Sequence, residues 1–472
     1  MKINSILIAL VCELCLIFTS LSAQPAPTRV PIGSPVPFWS QPFAVPIGHL
    51  PPANPQAPIS PVVPIGLSFD GVDFLGSNCG CLPPDTNVAA GNNFVVETVN
   101  LQIRVFDRTT GNVLLDEPLQ TFFGAFSGGD PFVVFDDNAQ HWYVSAFDST
   151  DTGLFLAVSN DANPLDGFLP TFDLTAVGGF PDYAKIGFNK DAIFISFNDF
   201  GSNGGFARIA SIDKAAALTG TLTYFVSTPK NQFRAMPPSQ FHGDTTGGTE
   251  WFVSTDGSDS SGTTMRVTMM TNYLSNSPSF TYTSVPVNAY QNASTANQPG
   301  GTITTFPNTT TFQVHYRNGH LVTAMASALA KDGFVFPKGL IYVFSVSGGT
   351  PTLVREIDLD PGSGVAVQMP SVDQDSNGRL GMNWFESSTK EFMSMWVNAI
   401  GTKKTKKTLK NATDVTPNAG FMFANFRIGD YSTTVVDPND GVTFWGANEF
   451  IGPNGSTDIW STHITSFTAP LK

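Results

Sequence analysis

The sequence predicts an all-β protein whose body is a single β-propeller of seven, alternatively six, four-stranded blades. Three observations predict it. A weak unit recurs along the chain, opening with Pro or Asp near a turn and continuing in short apolar runs. Turn formers and aromatics abound, with 43 Gly, 35 Pro and 40 Phe, while charged residues make up 13%, half the usual share of about 25%. Apolar residues at helical spacing are scarce.

Residues 1–23 read as a secretory signal peptide, which predicts a secreted or periplasmic protein. Lys2 supplies a short positive start, residues 6–18 are largely apolar around Glu13, and Leu21-Ser22-Ala23 offers small residues before Gln24. That run is too short and interrupted for a membrane span of about 20 residues, and no second stretch is long enough. Val11 and Leu14 precede Cys12 and Cys15, so neither cysteine sits in a lipobox.

Residues 24–66 are Pro-rich and contain Val-Pro-Ile-Gly three times, at Val30, Val45 and Val63. Proline fixes φ and removes backbone donors, so an extended linker or stalk is expected. The other reading is a segment that wraps the folded domain or docks a partner.

The propeller domain is expected over residues 67–472. Its units open at Pro84-Asp85-Thr86, Asp130-Pro131-Phe132, Pro181-Asp182-Tyr183, Pro237-Pro238-Ser239, Phe306-Pro307-Asn308, Met369-Pro370-Ser371 and Gly429-Asp430-Tyr431. A second apolar run follows each, at 94–96, 142–144, 193–195, 251–253, 320–322, 380–382 and 442–444. Openings about 45 to 70 residues apart leave room for four strands and a loop. The first unit shows all four, at 87–90, 94–99, 102–106 and 113–115, with Thr109-Thr110-Gly111-Asn112 as a hairpin turn. The units near 237 and 305 are irregular, which keeps six blades open. The alanine-rich runs 215–218 and 324–330 carry the helical signal and are expected in loops or insertions. Early and late strands should pair, because an open ring leaves blade edges unpaired.

Several of these residues resemble a known family. Pro83-Pro84-Asp85-Thr86-Asn87 with Gly91 and Phe94-Val95-Val96, then Pro181-Asp182-Tyr183-Ala184-Lys185-Ile186-Gly187, are similar to exported bacterial proteins of sialidase-like propeller type. So are Gly429-Asp430-Tyr431-Ser432, Thr443-Phe444-Trp445 and Asn448-Glu449-Phe450. Most such proteins have no assigned activity, so the resemblance implies the fold more than a chemistry.

Candidate site residues follow from the register of the openings. If these begin the innermost strands, Asp85, Asp130, Asp182 and Asp430 ring one mouth of the channel. Clustered carboxylates repel, so such a ring would take a cation or a polyhydroxylated ligand. The alternative is that each Asp caps its own turn. Resemblance to true sialidases implies a Tyr nucleophile beside a Glu, here Tyr431 and Glu449, with three Arg for the substrate carboxylate. Arg208, Arg234, Arg266, Arg317 and Arg427 are candidates. The family's early Arg-Ile-Pro is missing, however, with Arg427-Ile428-Gly429 a partial echo, and Ser254-Thr255-Asp256-Gly257 is a degenerate form of its repeated box.

Asp373, Asp375 and Asn377, followed by Gly378, match the opening of a calcium loop. Trp384 at position 12 and Gly381 at position 9 do not complete it, so a hairpin turn competes with a calcium site. Calcium is the one cofactor these patterns suggest. Cys79-Gly80-Cys81 is neither a redox nor a zinc motif; a local disulfide and free thiols are both open. The six histidines show no metal-ligand spacing. Lys403-Lys404-Thr405-Lys406-Lys407 is expected in a solvated loop. A formal net charge of −14 argues against nucleic acid and anionic membranes as partners.

The expected function is a secreted, monomeric binding module for a glycan or a protein surface. The alternative is a sialidase-like glycoside hydrolase.

Overall fold

The computed structural model describes residues 62–470 except 78, 80, 176, 202–203, 231–232, 256–260, 294–295, 304–308, 330–332, 334, 403–407, 421–427 and 453–459. The expected signal peptide, most of the Pro-rich segment, the opening at Phe306-Pro307-Asn308, Asp256, Arg427 and the lysine cluster lie outside the described residues.

Each blade begins with a strand that apolar or small residues allow to be buried on both faces. These inner strands are Asn87–Gly91, Phe132–Asp136, Pro181–Phe188, Ser239–Phe241, Val314–Arg317, Ala366–Gln374 and Thr433–Val436. The expected second runs fall in the strands that follow, the last of them one residue early at Val442: Phe94–Val99, His141–Phe147, Ala192–Asp199, Thr249–Thr255, His320–Leu329, Leu380–Ser388 and Thr443–Phe450. Successive strands within a blade pair antiparallel except in blade 4, where Ser239–Phe241 pairs parallel with the inner strands on either side and the next strand is met only at the Pro238–Phe252 bridge, and burial fades outward. Asn87–Gly91 is buried throughout, whereas the fourth strand of that blade, Val113–Pro118, is alternately half-buried and exposed.

Seven blades close into a ring. Each inner strand contacts the inner strands of the blades before and after it, and Thr433–Val436 contacts Asn87–Gly91. A buried apolar cluster fills every junction between consecutive blades. The last of them joins Val88, Val95 and Phe106 of blade 1 to Trp445, Ala447 and Ile464 of blade 7.

Blade 7 is completed by the other end of the chain. Ile65–Asp73 pairs antiparallel with Ser461–Thr468, with Ser68 opposite Thr465 and Asp70 opposite His463. Packing already begins at Val63, which is buried and whose amide, like that of Val62, donates to Thr413 Oγ1.

Two departures from expectation are informative. The run 324–330 is not in a loop or insertion: Ala324, Ala326 and Ala328 lie within the second strand of blade 5, His320–Leu329. Alanine's helix preference is a weak prior that burial between sheets overrides. The irregularity near 237 and 305 reflects a three-residue inner strand in blade 4, a long outer hairpin (Ser261–Thr271 and Ser279–Gln291) and a small inserted hairpin, Ala296–Gln298 with Gly301–Ile303. The run 215–218 does begin in a one-turn helix, Lys214–Ala217.

Candidate functional site

At or near the start of five of the seven inner strands one backbone feature recurs. Asp85, Asp130, Tyr183, Ala235 and Met369 adopt left-handed φ values of 55°, 51°, 60°, 44° and 47°. Only Asp tolerates this conformation well, so two of the openings place an Asp there for a local reason as well as a chemical one.

Asp85, Asp130, Asp182 and Asp430 all act electrostatically on one amine, that of Lys185. Lys185 was not singled out from the sequence, although a lone Lys in the otherwise uncharged run Tyr183–Phe188 was the signal. Its Nζ lies 3.4 Å from the Tyr183 ring centroid, 3.5 Å from that of Tyr431 and 5.6 Å from that of Phe132. It also lies 3.4 Å from the backbone oxygens of Tyr183 and Ala184. Lys185 is only 2% exposed. Burial pushes the ammonium down to about 7 against the pull of the four carboxylates.

A hydrogen-bonded chain links blades 7, 1 and 2 around this amine. The Asp430 amide donates to Asp85 Oδ1 (3.2 Å), and Asn100 Nδ2 donates to Asp85 Oδ2 (2.5 Å). Asn100 Oδ1 accepts from the Asp130 amide (2.9 Å), and the Tyr431 hydroxyl donates to Asp130 Oδ2 (2.8 Å). Asp85 and Asp430 are buried, while Asp130 and Asp182 are half-buried and reach solvent. Burial raises the Asp182 carboxyl to about 7, with the charges of Asp130 and Asp430 adding to it.

The inserted hairpin packs over one side of the mouth, with Ala296 and Ile303 in the same buried cluster as Tyr183 and Tyr431. Aromatic rings also lie beside the turns that carry Asp130 and Asp182. Phe180, 40% exposed, stacks on Phe147 at 5.1 Å and 21°. The Phe147 amide donates to Gly129 beside Asp130, and the Asp182 amide donates to Phe180.

Tyr431 and Glu449 do not form the expected working pair. Tyr431 is 1% exposed, its proton is committed to Asp130, and burial pushes its hydroxyl well above 10. Glu449 Oε2 instead accepts the Gly429 amide at 2.5 Å, holding the turn that carries Asp430. Two of the described candidate arginines are engaged elsewhere. Arg208 pairs with Asp199 at 3.2 Å, and Arg266 lies over Phe233.

Asp373, Asp375 and Asn377 are not gathered around one point. Asp375 Oδ1 accepts the amides of Asn377 and Arg379, its Oδ2 pairs with the Arg379 guanidinium, and the segment is the hairpin between Ala366–Gln374 and Leu380–Ser388. Asp373 accepts the amides of Gln374 and Val436. Cys79 and Cys81 are bonded to each other. No described helix is long and apolar enough to cross a membrane.

No protein-family model matches the chain, and no curated protein matches it by sequence. Among solved structures it is similar to Drosophila Semaphorin 2a, at 8% identity over 86% of this chain and 76% of that one, with a TM-score of 0.44. It is similar to phage phi92 endosialidase, at 9% identity over 86% and 70%, with a TM-score of 0.43. A protein of unknown function from Dyadobacter fermentans DSM 18053 is 10% identical over 82% and 94%, with a TM-score of 0.38. The propeller itself rests on the strand pairing and ring closure described above.

Proposed function

We propose that the protein is an exported binding module that recognises a neutral glycan at the Asp-lined mouth of the propeller. The observation that carries this reading is the partly exposed pair Asp130 and Asp182 beside the exposed, stacked ring of Phe180. Fixed carboxylates accept hydrogen bonds from vicinal hydroxyls, and a flat aromatic face covers the apolar side of a sugar ring. A few convergent polar groups beside an aromatic wall are the usual composition of a ligand site.

The same geometry argues against a sialidase-like hydrolase. An acidic sugar would meet Asp130 and Asp182 with two further carboxylates behind them, and the one amine among the four is buried under tyrosine rings. Tyr431 is neither exposed nor eased toward its anion. Export rests on the signal-like segment 1–23 and is checked by N-terminal sequencing, with cleavage expected before Gln24.

A glycan array probed with the full exported chain tests the reading. Binding to neutral glycans is expected, weakened at least tenfold in Phe180→Ala and in Asp182→Asn. Turnover of a fluorogenic sialoside, or an array without signal from folded protein, would overturn it.

A further inference from the structure

Toward the far end of the channel, three consecutive blades bring His242, His315 and Asp373 together. His315 lies in the inner strand Val314–Arg317, Asp373 near the end of Ala366–Gln374, and His242 directly after Ser239–Phe241. Blades 4 and 5 are set against each other by parallel pairing of Gln240 with His315. The inner strands run the same way, so residues at or past their ends lie away from the Asp-lined mouth. One ligand-type atom from each of the three side chains falls within 4.8 Å of the others. His315 Nδ1 is 3.7 Å from Asp373 Oδ2, and the two imidazoles stack at 5.5 Å and 28°.

His315 has a problem that its neighbours do not solve. It is 0% exposed, and among the described residues neither ring nitrogen has a hydrogen-bond partner. A neutral imidazole carries one donor and one lone pair. Leaving both unmet in a dry interior is costly, and such groups in native proteins point to a missing partner. Asp373 uses one lone pair on each oxygen for the Gln374 and Val436 amides, at 2.7 and 2.8 Å, and keeps others. Asp137 Oδ1 stands 3.7 Å from His242 Nδ1, on the side where an outer carboxylate would orient a ligating imidazole, and His242 Nε2 would have to exchange its 3.3 Å contact with Gln240 Oε1 for the ion. Arg317, whose charge acts on His315, acts on Asp137 as well, so a carboxylate partly offsets it.

We infer that His242, His315 and Asp373 form a binding site for a divalent transition-metal ion. Two imidazoles and one carboxylate suit Zn²⁺, Co²⁺, Mn²⁺ or Fe²⁺ rather than the all-oxygen preference of Ca²⁺. Ligands held at about 2.1 Å stand roughly 3.0 to 3.4 Å apart, so closure asks for side-chain shifts of about 1 Å. Separations of 73 and 58 residues place the ligands on consecutive blades, which is why local spacing hides the set.

The test uses the full chain after dialysis against a chelator. Titration with Co²⁺ should give visible ligand-field bands that saturate at one equivalent and vanish when Zn²⁺ is added. Zn²⁺ should raise the melting temperature and Ca²⁺ should not. His242→Gln, at the rim of the set, should bind at least tenfold more weakly, and Asp137→Asn about 10- to 100-fold more weakly. Folded wild-type protein that shows no cobalt bands and retains no ion would overturn the site. So would affinity unchanged in His242→Gln and His315→Gln. The wild-type spectrum needs no variant, so a misfolded mutant does not blur the outcome. Glycan binding at the opposite mouth is read separately and stands or falls on its own.

Discussion

Lys185 shows how much one side chain can decide. The four openings that carry Asp would repel each other across a narrow mouth, and a buried ammonium among them relieves that repulsion without a bound cation. Removing one partner of a buried charge group leaves the rest uncompensated, which typically costs about 3 to 5 kcal/mol. Lys185→Met, close in volume, should therefore destabilise the protein by about 3 kcal/mol in denaturant unfolding, and an unaffected midpoint would dismiss this role. Asp182 makes a pH prediction. Its folded carboxyl is raised from 3.8 to about 7, so between those values the native state holds a proton that the unfolded chain has lost. The stability this contributes is full below pH 4 and is lost as pH rises through 7. Asp182→Asn should thus melt increasingly above wild type as pH goes from 4 to 8. A difference that does not change with pH would show that Asp182 titrates normally.

Elements were the most legible level, and glycine shows why some of their packing was not. All seven second strands were marked by apolar runs, because a strand buried on both faces writes its position directly into composition. The helix-like alanines of His320–Leu329 misled for the converse reason: their burial between blades is a tertiary fact. Gly381, in Leu380–Ser388, faces the ring of Phe444 in the next blade, and a Cβ there would overlap that ring. Phe444 is fully buried and cannot swing away. Gly381→Ala should cost about 1 to 3 kcal/mol through overpacking, whereas Gly348→Ala, with open space around it, should be nearly neutral. Equal thermal shifts for the two variants would show that blades 6 and 7 are not packed this closely.

Ring closure governs what the whole molecule can tolerate. The Asp positions were readable because the openings share a register, whereas Lys185 and the His242–His315–Asp373 set depend on which side chains point inward from different blades. Closure by pairing of early and late strands was foreseen from the need to cover edges, whereas the particular strand, Ile65–Asp73, starts inside the segment expected to be a linker. That strand does more than cover an edge. The Val72 amide donates to Glu97 Oε2 at 2.9 Å, and the Val72 oxygen accepts from Thr462 Oγ1 at 2.9 Å. Thr86 Oγ1 donates to the other Glu97 oxygen at 3.0 Å, so blades 1 and 7 share one buried carboxylate. Deleting residues 1–73 strips a donor from that carboxylate, bares the edge of Ser461–Thr468 and opens the junction of Phe69 with Phe106, whose rings lie 4.9 Å apart. Each blade buries its faces only against its neighbours, so the loss should spread round the ring and not stop at blade 7. The truncated chain is expected to lose its β circular dichroism and its cooperative melt. A monodisperse product with native spectrum and an unchanged transition would mean that six blades hold without the closing strand, and that closure is incidental to stability.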